Sequence, residues 1–114
     1  MITMFAIPNC DTVKKARVWL DGHGVAYAFH DYKKQGIDKL VLEGWVKQVG
    51  WEILLNRAGT TFKKLPDADK AGITERKAIA LMLANPSMIK RPVLAVKGKV
   101  TVGFKPDIYQ ELFG

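Results

Sequence analysis

The chain has 114 residues, of which 48% are apolar and 25% charged, with a net charge of +7 and a single cysteine. That length supports one domain with a real core, and one cysteine excludes any disulfide within the chain. No apolar run approaches the roughly 18 residues that span a bilayer. The 18 Lys and Arg are scattered among 11 acids, without a block of five or six, and no nucleic-acid motif accompanies them. No nucleic acid, membrane or metal partner is expected, and a basic surface of this kind suits a small anionic substrate. The first five residues lack a basic region and a small-residue cleavage site, so no signal peptide is read and the cytoplasm is the expected compartment.

The apolar run over 2–7 predicts a strand covered on both faces. Pro8, Asn9 and Cys10 follow as a loop, and a helix is predicted over 11–20 from Val13, Ala16 and Leu20 at helical spacing, with Trp19 beside them. Cys10 therefore falls at or next to the helix N-cap. Free backbone N–H groups and the positive end of the helix dipole favour an anion there. A thiolate is an anion, so this position lowers the thiol pKa, and Lys14 and Lys15 add positive charge one turn on. A lone cysteine is often a buried structural thiol. The loop-type neighbours Pro8, Asn9 and Asp11 favour a reactive one.

Asp21-Gly22-His23-Gly24 ends the helix, and the alternation over 25–32 predicts a second strand. Strand, helix and strand make a βαβ unit with a right-handed crossover. Residues 33–36 read as a loop. From Asp38 a helix carries Val41, Leu42, Trp45, Val46 and Val49 on one stripe, and Gly50 stops it. Residues 51–55 read as a short helix, 56–61 as a loop and 62–65 as one helical turn. Trp45 and Trp51 are expected in the core. Thr74 caps a helix over 75–84 that Asn85-Pro86 terminates. The block over about 37–90 is thus read as helical, with no strand.

Beta structure returns over 92–96 and 100–104, joined by a turn at Lys97-Gly98-Lys99 into a hairpin. Pro106 opens a last helix, read as burying Ile108 with Leu112 and presenting Tyr109 with Phe113. The fold class is α/β: a thioredoxin-like β-α-β … β-β-α order with a helical block inserted between its halves, in one domain over 1–114. His23 and His30 stand alone, without the spacing of a metal site.

Four stretches carry a family resemblance: Ile7-Pro8-Asn9-Cys10 with Lys14-Lys15-Ala16-Arg17, then Gly59-Thr60-Thr61-Phe62-Lys63-Lys64-Leu65, then Lys90-Arg91-Pro92-Val93, and Gly103-Phe104. With them the chain resembles the ArsC family of arsenate reductase-like proteins, which includes the Spx regulators and the YffB group of thiol reductases. The resemblance covers essentially the whole chain and is nearest to the YffB group. It implies that Cys10 is the catalytic cysteine, that Arg91 contacts an oxyanion or glutathione, and that Pro92 is a cis-proline lining the site. Asn9, Asp11, Thr12, Lys14, Arg57 and Lys105 are read with them as binding residues.

Three departures follow from the same comparison. Val13 stands where Spx regulators carry a second cysteine. Ala58 stands where the YffB pattern has arginine, with Arg57 one residue earlier. Lys105, rather than arginine, precedes Pro106, and lysine lacks the planar fork that grips an oxyanion bidentately. The expected function is therefore a monomeric monothiol reductase with no bound cofactor. Glutathione is its co-substrate, and the other substrate is a disulfide or an oxyanion of unknown identity. An Spx-like regulator that binds a protein partner, and arsenate reduction proper, are the alternatives.

Overall fold

The computed structural model describes residues 2–113. The elements run β1 (Ile2–Ala6), α1 (Asp11–Gly22), β2 (Ala28–Asp31), α2 (Tyr32–Gln35), α3 (Lys39–Val49), α4 (Trp51–Leu54), α5 (Thr60–Lys63), α6 (Asp67–Lys70), α7 (Glu75–Ala84), a 3-10 turn (Pro86–Met88), β3 (Val93–Val96), β4 (Lys99–Val102) and α8 (Pro106–Phe113). The chain divides into two compact units. One joins the residues up to Asp31 with those from Arg91 onward, and the other is Tyr32–Lys90.

The first unit holds a four-stranded sheet in the order β2-β1-β3-β4. β1 and β2 are parallel, joined across α1, whereas β3 runs antiparallel to β1 and β4 to β3. This is the α/β, thioredoxin-like arrangement expected from the element order. The hairpin pairs Val96 with Lys99, leaving Lys97 and Gly98 as a two-residue loop with φ of 51° and 83°. Positive φ at both positions is the mark of a type I′ turn, whose twist matches the flanking strands.

One face of the sheet is dry. Met4 and Ala6 of β1 and Leu94 of β3 pack against Val13, Ala16 and Leu20 of α1 and Tyr109 of α8, all fully buried. Met4 and Leu94 are cross-strand partners, so the parity of both strands fixes this face. The helical period of α1 supplies the matching stripe. Met4, Val13, Leu20 and Leu94 each contribute about 1.5–3 kcal/mol by leaving water, and the two alanines less.

The last helix reverses its expected face. Tyr109 is buried, while Ile108 and Leu112 are 39% and 41% exposed. Phe104 and Trp19 meet the Tyr109 ring edge-on, at 4.7 and 5.5 Å between centroids. Three aromatic neighbours, Phe113 included, outweigh two aliphatic ones when one stripe must face the core. Burial, and secondarily Tyr27, pushes the Tyr109 phenol far above its ordinary pKa.

The second unit is helical. It begins at Tyr32, five residues before the expected start, because α2 forms where a loop was read. Tyr32 is buried, and that anchor outweighs the polar run Lys33-Lys34-Gln35. Asp38 caps α3 by accepting from the Leu40 N–H at 2.8 Å, and Thr74 caps α7 by accepting from the Lys77 N–H at 3.3 Å, as their side chains predict. Gly50 at φ 89° lets the chain turn from α3 into α4. Residues Thr60 and Thr61, read as loop, lie in α5, and α6 over Asp67–Lys70 was not expected at all. Both are single turns with weak periodic signal. Trp45 is buried as expected, but Trp51 is only half-buried and Val41 is 39% exposed. Among the described residues no helix is long and apolar enough to cross a membrane.

Candidate functional site

β1 ends at Ala6, and after four intervening residues α1 begins at Asp11. Cys10 is the N-cap of α1 with extended φ/ψ of −137° and 129°. Its carbonyl accepts the Lys14 N–H at 2.9 Å, the first bond of the helix. The backbone geometry at the cap leaves the leading N–H groups of α1 free of helical partners. The Cys10 thiol is half-buried and free, and it closes no conventional capping bond. Pro8 and Asn9 before it, and Asp11 and Thr12 after it, are exposed.

Several causes bear on the thiol. Burial pushes its pKa up. The Val13 N–H, the Arg91 side chain and the Thr12 N–H, as donors, and the Arg91 charge all favour the thiolate, and together they prevail, so the pKa is lowered. This matches the physical expectation for a thiol at a helix start beside a cation. Arg91 itself precedes β3, and its peptide bond to Pro92 is cis, the isomer implied by the resemblance. Pro92 is buried. Its carbonyl accepts the Gly103 N–H at 2.8 Å, which ties the start of β3 to the end of the hairpin.

Of the residues singled out from the sequence, the structure gathers Cys10, Thr12 and Arg91 around one sulfur, with Pro92 next to Arg91 in the chain. Lys14 joins through its backbone, while its side chain is exposed. Asn9 and Asp11 are exposed neighbours in sequence, with no hydrogen bond to the thiol. Lys105 is exposed and its carbonyl accepts the N–H groups of Ile108 and Tyr109, both at 3.1 Å, at the start of α8. Arg57 belongs to the helical unit, where its guanidinium lies 5.7 Å from the centre of the Trp51 ring. Val13 was read from the sequence as part of the apolar stripe of α1 and as a missing second cysteine, not as a group acting on the thiol. Its buried side chain belongs to the core, and its N–H is the leading donor to the sulfur. The N-cap position was the signal that a backbone group would serve. Among the described residues no cluster of three or more metal-ligating side chains exists.

A thiol of lowered pKa at a helix start, after the first strand of a β-α-β … β-β-α sheet, is a thioredoxin-type arrangement. The sequence model of the ArsC family matches residues 5–112, so the chain belongs to the ArsC family. Its fold is similar to that of a YffB protein, at a TM-score of 0.97 and 57% identity over the whole of both chains. It is similar to an arsenate reductase-related protein from Brucella melitensis, at a TM-score of 0.79 and 55% identity, covering 98% of this chain and 93% of that one. It is also 30% identical over 110 residues to the global transcriptional regulator Spx of Streptococcus mutans, covering 94% of this chain and 79% of the regulator. The chain is thus arsenate reductase-like.

Proposed function

We propose that the chain is a glutathione-dependent thiol–disulfide reductase in which Cys10 is the nucleophile and the first N–H groups of α1, with Arg91, favour its thiolate. The observation that carries this reading is the lowered pKa of a half-exposed thiol held between the α1 N–H groups and Arg91. In the first step the Cys10 thiolate attacks one sulfur of a disulfide R–S–S–R′. A Cys10–S–S–R bond forms, and R′ leaves as a thiolate that takes a proton from water. No second cysteine exists in the chain to displace R. An external thiol must do so, and glutathione is the abundant one in the cytoplasm, where we place the protein. Its thiolate attacks the sulfur of R, forms G–S–S–R and expels the Cys10 thiolate. The α1 N–H groups and Arg91 that lower the pKa also make Cys10 a good leaving group. Glutathione is anionic, and Arg91 is suited to one of its carboxylates through charge-assisted hydrogen bonds. Thr12, Lys14 and the exposed Asn9 and Asp11 border the same thiol and complete the proposed binding surface, with the protein acting as a monomer.

A second reading has support of its own. Similarity to Spx extends over 94% of this chain, and a regulator would use the same fold to bind a protein partner. One experiment separates the two. Oxidised glutathione should modify the protein at one site, placed on Cys10 by mass spectrometry, and reduced glutathione should release it. A folded protein whose Cys10 stays unmodified would favour the regulator. Arsenate as the substrate is less well supported, because Lys105 stands where a third arginine would grip the oxyanion.

A further inference from the structure

Cys10, Lys14, Arg17 and Asp21 follow one another at spacings of four, three and four residues, so they share one stripe of α1. Arg17 lies seven residues beyond Cys10, about 10 Å along the axis at 1.5 Å per residue. Its position is built rather than loose. Nε donates to the Tyr27 hydroxyl at 3.0 Å, and the guanidinium carbon stands 4.3 Å from the centre of the Phe29 ring and 6.0 Å from that of Tyr27. Phe29 lies in β2, an outer strand of the sheet.

These contacts hold the group over Phe29, and the one hydrogen bond among them uses Nε. Among the described residues no carboxylate pairs with Arg17, and its two terminal amino groups have no partner. With Nε taken, the two terminal amino groups remain, and a guanidinium can pair through them with a carboxylate. Exposed Lys14 lies between it and the thiol, so the stripe is cationic from Cys10 to Arg17.

We propose that this stripe of α1 is a docking track for an acidic peptide, in which Cys10 attacks a disulfide carried by the peptide while Arg17 holds a carboxylate about three residues from the peptide's cysteine. An extended chain advances about 3.3 Å per residue, so three residues cover the axial rise from Cys10 to Arg17. The glycine carboxylate of glutathione lies within one residue of its sulfur, and its γ-glutamyl carboxylate, eight bonds away, comes this far only when fully extended, so glutathione is the weaker match for this position. The proposal rests on the reading of Cys10 as an attacking thiol, and it assigns the substrate class: proteins whose oxidised cysteine is flanked by acidic residues.

The test is the rate at which Cys10 displaces 5-thio-2-nitrobenzoate from its mixed disulfide with a model peptide. The Cys10 thiolate bonds to the peptide sulfur and the coloured thiolate leaves, so each turnover releases one chromophore and needs no glutathione. Two peptides are compared, with Glu or Gln three residues from the cysteine, together with the corresponding mixed disulfide of glutathione. Wild type should react with the Glu peptide about fivefold faster than with the Gln peptide, the upper end for a partly exposed ion pair, and salt should shrink that ratio. Arg17→Met keeps an unbranched apolar chain over Phe29 and should bring the ratio to about one, with the glutathione rate moved less than that of the Glu peptide. Arg17→Lys, which keeps the charge but not the fork, should fall between and serves as the variant if Arg17→Met does not fold. A purely structural role would slow all three disulfides alike. Equal slowing, a wild-type ratio of one, or a ratio that survives in both variants overturns the proposal. So does an Arg17→Met effect on the glutathione disulfide alone. A failure of glutathione to release an adduct from Cys10 would strike the reductase reading and leave this ratio untouched.

Discussion

The two units of the chain carry charge in opposite ways. Between Tyr32 and Lys90 lie eleven of the eighteen basic side chains and six of the eleven acids, so the helical unit holds most of the excess. The sheet unit, with seven bases against five acids, holds the only thiol. In the helical unit lysines are tied to their own backbone. Lys77 Nζ donates to the carbonyls of Ala68 and Ala71 at 3.0 and 2.9 Å, and Lys70 Nζ donates to that of Lys63 at 2.6 Å. These amines satisfy carbonyls at the ends of single-turn helices that have few other partners. In the sheet unit one cation, Arg91, acts on one sulfur. Net charge is therefore a poor guide to this site. What sets the thiol is the placement of one guanidinium and two backbone N–H groups.

The largest effect should come from Cys10→Ser, which removes the nucleophile. Turnover of any disulfide and formation of a glutathione adduct should both vanish, since a hydroxyl attacks sulfur poorly at neutral pH. Retained adduct formation, read by intact mass, would place the reactive group elsewhere.

Packing gives the next effect and contrasts a leucine from each unit. Leu20 of α1 is fully buried and Leu40 of α3 is 78% exposed. Leu20→Ala should lower stability by about 2–5 kcal/mol, whereas Leu40→Ala should stay within about 0.5 kcal/mol. Denaturant melts read both. Equal losses would mean that the exposed leucine is covered in solution.

A smaller loss is expected from Lys77→Met, which frees two carbonyls at the end of α6. About 1 kcal/mol is the scale for such partly exposed hydrogen bonds. Hydrogen exchange should rise around α6 while the pH profile of Cys10 stays as in wild type. A moved Cys10 profile would break the separation between the charges of the helical unit and the thiol of the sheet unit.

Much of this was legible in the sequence where a residue's local signal and its tertiary role agree. Val13, Ala16 and Leu20 mark both the period of α1 and its buried face. Asp38 and Thr74 mark caps because capping is a contact within one turn. Cys10 could be placed at a helix start for the same reason. The misreadings fall where several faces compete. Helix α8 has apolar residues at Ile108, Tyr109, Leu112 and Phe113, and the choice between stripes was made by Phe104 just before the helix and by Trp19, far away in sequence. Short helices α2, α5 and α6 give no period to read. The approach of Arg91 to Cys10 spans 81 positions, and only the family resemblance anticipated it. Arg17 gave no signal beyond its place in a motif, because its partners Tyr27 and Phe29 lie across the sheet unit.

The central claim is that the sheet unit holds Cys10 as a thiolate through Arg91 and the first N–H groups of α1. Its most direct test is the pH dependence of Cys10 alkylation by iodoacetamide, in wild type and in Arg91→Gln. A depressed pKa means that the ionised form is favoured by the fold. The stability it lends is fully present above the unfolded thiol value of about 8.5 and is lost as pH falls through the lower native value. The alkylation rate should follow the same ionisation, with a midpoint below about 8.5 in wild type that moves upward in Arg91→Gln while the melting behaviour is kept. A wild-type midpoint at or above the free-thiol value, or one that Arg91→Gln leaves in place, would contradict the account.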